Sequence, residues 1–89
     1  MTFAQRVEAL ADAVNVFVTP YYELVAEHMG DGVIKVVKMN EWFLPSPSIR
    51  LNPGSTLTVL AKDGSEVFAT NNLDEALNAL DALLMDYIE

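Results

Sequence analysis

The chain contains no cysteine. Disulfide scaffolds, thiolate zinc sites, iron–sulfur clusters and cysteine nucleophiles are thereby excluded, and the composition fits a reducing compartment. Basic residues are scarce: five Lys and Arg stand against thirteen Asp and Glu, a formal net charge of −8. Nucleic-acid affinity rests on cations that neutralise phosphates, so direct binding to DNA or RNA is not expected. The four glycines, Gly30, Gly32, Gly54 and Gly64, all fall at turns, and none belongs to a phosphate-cradling loop. Ser46, Ser48, Ser55 and Ser65 lack the strand-to-helix setting of an activated nucleophile. No apolar run approaches the ~18 residues of a membrane span. The opening MTFAQRVEALADAV carries acids and no basic leader region. These absences lead to the expectation of a soluble, cytoplasmic protein.

The one histidine, His28, has no evident catalytic partner; near the end of a helical stripe, it reads as a charge complementing the helix dipole. Glu23 and Glu27, and the acids beyond Asp74, have the spacing of solvated helix faces. Neither set resembles a calcium-binding loop. No catalytic residue, metal site or cofactor is expected, and the chain is not read as an enzyme.

What is present in quantity is apolar surface. Hydrophobic residues make up 52% of the 89 positions. A single domain this small hides only roughly 60–68% of its unfolded surface. Some apolar area must stay exposed or be covered by another chain. A homodimer or an obligate partner is the expectation.

The order of elements is legible in part. Thr2 followed by Gln5 is a capping-box pattern. Phe3, Val7, Leu10, Val14, Phe17, Tyr21, Leu24 and His28 then recur at spacings of four and three. This stripe predicts a helix over 3–18, a bend at Pro20 and a second helical piece over 20–29. The alternation VNVFVT offers a rival strand over 14–19. Gly30 reads as a helix C-cap. VIKVVKM at 33–39 is a β-branched strand, and its two lysines place it near a sheet edge. SIRL at 48–51 reads as a brief extended edge, and NPGS as a type II turn. TLTVLAKDGSEVFAT is a hairpin about a two-residue Asp63-Gly64 turn. In that register Leu57, Val59, Ala61, Val67 and Ala69 share one side, and Thr56, Thr58, Leu60, Glu66 and Phe68 contribute to the other. Asn72 and Glu75 open a C-terminal helix with an apolar stripe from Leu73 to Ile88. The expected fold is α+β: one domain, two layers, an antiparallel sheet of three or four strands with both helices on one face.

The segment NEWFLPSPSIRLNPGS raises the question of function. It holds the only Trp and three of the four prolines. Directly after a strand, Trp42 and Leu44 would point one way and Phe43 the other, so one side needs cover from a loop or a partner. Trp and neighbouring aromatics are frequent binding hot spots. After Lys62 there are seven acids and no base. The candidate partner-binding residues are therefore Trp42, Phe43, Tyr22, Asp74, Glu75, Asp81, Asp86 and Glu89. Together they point to a small acidic protein-binding module. Its most definite form is an inhibitor whose carboxylates stand in for phosphates on a basic, nucleic-acid-binding partner. Phage-encoded anti-defence (anti-CRISPR-like) proteins share this general profile, a likeness of type and not of sequence. The alternative is a self-assembling homodimeric structural or adaptor protein. A third is a small-ligand binder with a pocket between helices and sheet.

Overall fold

The structure, a computed structural model, describes residues 2–21 and 23–88. Helix α1 (Phe3–Val18) is followed by five strands, β1 (Leu24–His28), β2 (Val33–Lys38), β3 (Ser48–Leu51), β4 (Leu57–Leu60) and β5 (Glu66–Thr70), and by helix α2 (Leu73–Tyr87). The strands form one antiparallel meander in chain order. The α+β class and two terminal helices agree with the sequence pattern; the sheet has five strands rather than three or four.

Both helices bury their stripes on one sheet face. Val7, Leu10, Val14 and Val18 of α1 and Ala76, Leu80 and Leu84 of α2 form a single core with Leu24, Ile34, Val36, Ile49, Leu51, Leu57 and Val59. α1 covers β1 and β2; α2 covers β3 to β5. The capping box at Thr2 and Gln5 is formed, and Asn72 caps α2 by accepting from the Glu75 N–H. Each cap stabilises its helix by about 1 kcal/mol.

The expected helical piece over 20–29 is not formed. α1 ends at Val18, and residues 24–28 pair with β2 from Leu24↔Lys38 to His28↔Ile34. Over so short a segment the spacing of Leu24 and His28 also fits a strand, in which both fall on the same face. The Gly30–Gly32 turn decides between the two. Gly30, Asp31 and Gly32 all have positive φ, and Met29 N–H bonds Val33 O at 2.8 Å, which closes a hairpin instead of capping a helix. His28 is accordingly an exposed strand residue, not a charge at a helix end. The rival strand over 14–19 is also absent, since Val14 and Val18 lie on the buried stripe of α1.

β3 was expected at an edge and is the central strand. Pro45, Pro47 and Pro53 all fall outside it, so each of its four residues keeps an N–H for the ladders to β2 and β4. The hairpin β4–β5 differs in its turn. Gly64 N–H bonds Ala61 O and Ala61 N–H bonds Ser65 O, both at 2.9 Å. The loop is therefore the three residues Lys62–Gly64, with Gly64 at φ +88°. A further register shift at Val59/Leu60 pairs Val59 with Phe68 and Thr58 with Ala69. Phe68 thus lies on the helix side, and Ala69 on the far side, opposite to the expected assignment. At NPGS the left-handed residue is Ser55, at φ +73°, and not Gly54, so the turn is not type II.

The far face is less open than expected. Val37, Leu60, Ser48 and Thr58 point away from the helices and are nonetheless buried. The segment between β2 and β3 covers part of this face, held by Lys35 Nζ donating to Trp42 O at 3.0 Å. A polar row completes it: Arg50 donates to Asn52 at 2.9 Å, Asn52 donates to Thr58 at 2.8 Å, and Arg50 lies 3.7 Å from Glu66.

Candidate protein-interaction site

The β2–β3 loop is firm at its base and bare at its tip. Asn40 takes a left-handed φ of +70°, Glu41 N–H bonds Lys38 O at 2.9 Å and Leu44 N–H bonds Glu41 O at 3.0 Å. These turns end β2 at Lys38, so Trp42 and Phe43 do not alternate as strand residues. They pack on each other edge to face, ring centroids 5.9 Å apart. Trp42 is 58% exposed and Phe43 65%. The anchor of the segment is Pro47, fully buried, whose carbonyl accepts from Val36 N–H at 3.0 Å. Proline and the lysine clamp limit the chain entropy lost when such a loop is captured.

The meander fixes what lies near this tip. One end of the sheet carries the Gly30–Gly32 turn, the Asn52–Thr56 turn and the start of α2; the other carries the Trp42 loop, the Lys62–Gly64 turn and the end of α2. Glu23 and Glu41 line a hollow with Lys38 and Met39 beside the loop, and Asp86 lies with Pro47, Lys62 and Tyr87. Trp42 and Phe43 therefore share an end with Asp86. Asp74 and Glu75 sit at the opposite end, where Thr70 Oγ1 donates to Glu75 at 2.5 Å. Asp81 accepts a hydrogen bond from the Tyr21 hydroxyl. Tyr22 and Glu89 lie outside the described residues. The six described candidates do not form one footprint. Glu23, Glu41 and Met39 join Trp42 instead, and their only sequence signal was adjacency to the loop or to Pro20.

The Tyr21–Asp81 contact ties the chain after α1 to α2. The carboxylate of Asp81, by accepting a hydrogen bond from the neutral phenol, raises the pKa of Tyr21 above its ordinary 10.0, and desolvation and the carboxylate's charge act in the same direction. Removing the hydroxyl in Tyr21→Phe is expected to cost about 1 kcal/mol. Because the folded pKa is the higher one, this contribution is complete below pH 10 and fades as pH rises through the raised value. Urea unfolding of both proteins from pH 7 to 11 should show a gap that is constant and then closes.

The hollow at Glu23, Lys38, Met39 and Glu41 has a volume of about 530 Å³. Three of its four described lining residues are charged, and it is only half enclosed, whereas small-ligand sites are more enclosed and mostly apolar. Among the described residues no three His, Asp or Glu side chains are placed to hold a metal ion, and no helix is long and apolar enough to cross a membrane. No family model, curated protein or solved structure matches the chain.

Proposed function

We propose that the protein is a non-enzymatic binding module that docks on another protein through the Trp42–Leu44 loop. The observation that carries this reading is the exposure of adjacent Trp42 and Phe43 on a loop with a fixed base. Leaving two large aromatic rings in water forgoes core energy, and such rings are the usual energetic centres of interfaces. Met39 and Leu44 extend the apolar tip, at 57% and 41% exposure. Glu23, Glu41 and Asp86 share this end of the sheet with Lys38 and Lys62, so it is the body's net charge of −8, more than an acidic rim, that suits a partner offering an apolar pocket among Lys and Arg. The finer reading is an inhibitor that covers a basic, nucleic-acid-binding surface. Its support is the net charge of the whole body.

The test is affinity capture from the natural host followed by titration of the captured protein. The double variant Trp42→Ser, Phe43→Ser should bind at least ~30-fold more weakly, as hot-spot removal of 2 kcal/mol or more implies, while its melting temperature holds. Charge reversal by Glu41→Lys and Asp86→Lys should flatten the salt dependence of binding. Full affinity in the aromatic double variant would sink the proposal.

A further inference from the structure

A meander leaves two edges, and this one treats them differently. At the β1 edge the backbone of Ala26 points outward, because its neighbours on alternate positions serve the ladder to β2. Asn15, on α1, meets both outward groups: its Oδ1 accepts from Ala26 N–H at 2.9 Å and its Nδ2 donates to Ala26 O at 3.2 Å. One side-chain amide thus occupies the place of a neighbouring strand. Asn15 was a polar interruption of an apolar run in the sequence, and this contact gives it a structural task. Among the described residues β5 has no such guard. Glu66, Val67, Phe68 and Ala69 are all exposed, and Val67 and Phe68 are 49% and 41% accessible. Since Phe68 and Thr70 face their partners Val59 and Leu57 in the ladder, Ala69 between them turns its N–H and carbonyl to solvent. The strand carries no Lys and no Pro, the residues with which exposed edges are usually blunted.

We infer that β5 is a homodimer edge: two copies pair β5 with β5 antiparallel about a two-fold axis near Phe68 and Ala69, making one ten-stranded sheet. The strand is suited to its own reverse. Its one charge, Glu66, stands at its first position, so antiparallel self-pairing keeps it from its own copy and sets it near Thr70, whose hydroxyl donates to Glu75; that second carboxylate adds to the repulsion that salt must screen. Glu66 is moreover already beside Arg50. Pairing about Phe68 or Ala69 puts Phe68 against Phe68 or Thr70 of the second copy, and aromatic or β-branched cross-strand pairs of this kind stabilise sheets. The Trp42 loop takes no part, so this interface is independent of the docking proposed above. Two bodies of charge −8 repel each other, and salt screens that repulsion. Dimerisation should therefore strengthen with ionic strength, whereas capture of a basic partner should weaken.

The experiment is sedimentation velocity across protein concentration at about 0.05 and about 0.5 M salt, which bracket strong and weak screening. The full chain should shift from 9.8 kDa to twice that mass, at lower concentration in high salt. Ala69→Pro removes only an outward N–H, and proline is tolerated on an edge strand. Val67→Lys places on the edge the charge that natural sheets use there. Each should raise the dimer dissociation constant at least about ten-fold, equivalent to the loss of ~1.4 kcal/mol, while Trp42→Ser, Phe43→Ser leaves it unchanged. Far-UV circular dichroism of both edge variants guards against misfolding. A monomer at every concentration and salt overturns the inference. So does a dimer that survives both edge variants in folded form, or one split by the Trp42 and Phe43 changes. A monomer that loses a foreign partner on Ala69→Pro would assign the edge to another protein's strand and overturn self-pairing.

Discussion

Ile49→Ala is expected to lower the unfolding free energy by about 3–4 kcal/mol, while Trp42→Ala, which deletes the larger side chain, should change it by less than about 0.5 kcal/mol. A domain of this size has a total stability of only ~4–13 kcal/mol, so the first change removes a large share and the second almost none. Ile49 lies at 0% exposure on the central strand, and its ladder partners Ile34 and Val59 are equally sealed. Truncation there leaves a cavity that strands on both sides and helices above cannot collapse into without losing their own pairing. Trp42 touches water over more than half of its surface. Urea denaturation with a common m-value measures both. A Trp42→Ala loss comparable to that of Ile49→Ala would show that the tryptophan is a core anchor, and the docking proposal would lose its physical basis.

That contrast was not readable from composition. Ile49 sits in a four-residue segment hemmed by prolines, which by propensity reads as a marginal edge. Its central place follows from long-range pairing: β2 and β4 both need a neighbour, and the segment keeps all its donors. By contrast α1 and α2 carry their own signatures in caps and stripes, and the Asp63-Gly64 turn announces its hairpin locally. β1 escaped notice because a core-facing strand and a helix can both place Leu24 and His28 on one side of a short run. The candidate site was half legible. Trp42 and Phe43 stood out because prolines deny the loop a regular element. The company they keep did not, because which acids share an end of the sheet depends on strand order. Asp74 and Asp86 lie on one helix, yet the rise between them, about 18 Å at 1.5 Å per residue, carries them to opposite ends of the strands. A phosphate-like row of carboxylates along α2 is also interrupted where Asp81 turns to Tyr21. The acids that share an end with Trp42 are those gathered there by the meander.

Gly32→Ala should destabilise the fold by about 3 kcal/mol, against about 1 kcal/mol for Gly30→Ala two residues earlier in the same turn. Both glycines have positive φ, +77° and +95°, so both substitutions bear the left-handed strain of a Cβ. Only Gly32 adds a collision. A Cβ there would stand 2.6 Å from Leu51 O and 3.1 Å from the Phe3 ring, while nothing lies within 4 Å at Gly30. The clash falls on a backbone atom of a strand, which has no rotamer to escape by. It falls also beside the bond from Leu51 N–H to Gly32 O, 2.9 Å long, that closes this end of the β2–β3 ladder. Relief requires β2 and β3 to part and the Phe3 ring, in the first turn of α1, to shift, and these movements loosen the core between them. For a domain of this size 1 kcal/mol corresponds to roughly 4–8 °C in melting temperature, so the two variants should separate clearly in a thermal melt. Equal losses would mean that the turn, and not the contact between β3 and the start of α1, sets the requirement for glycine.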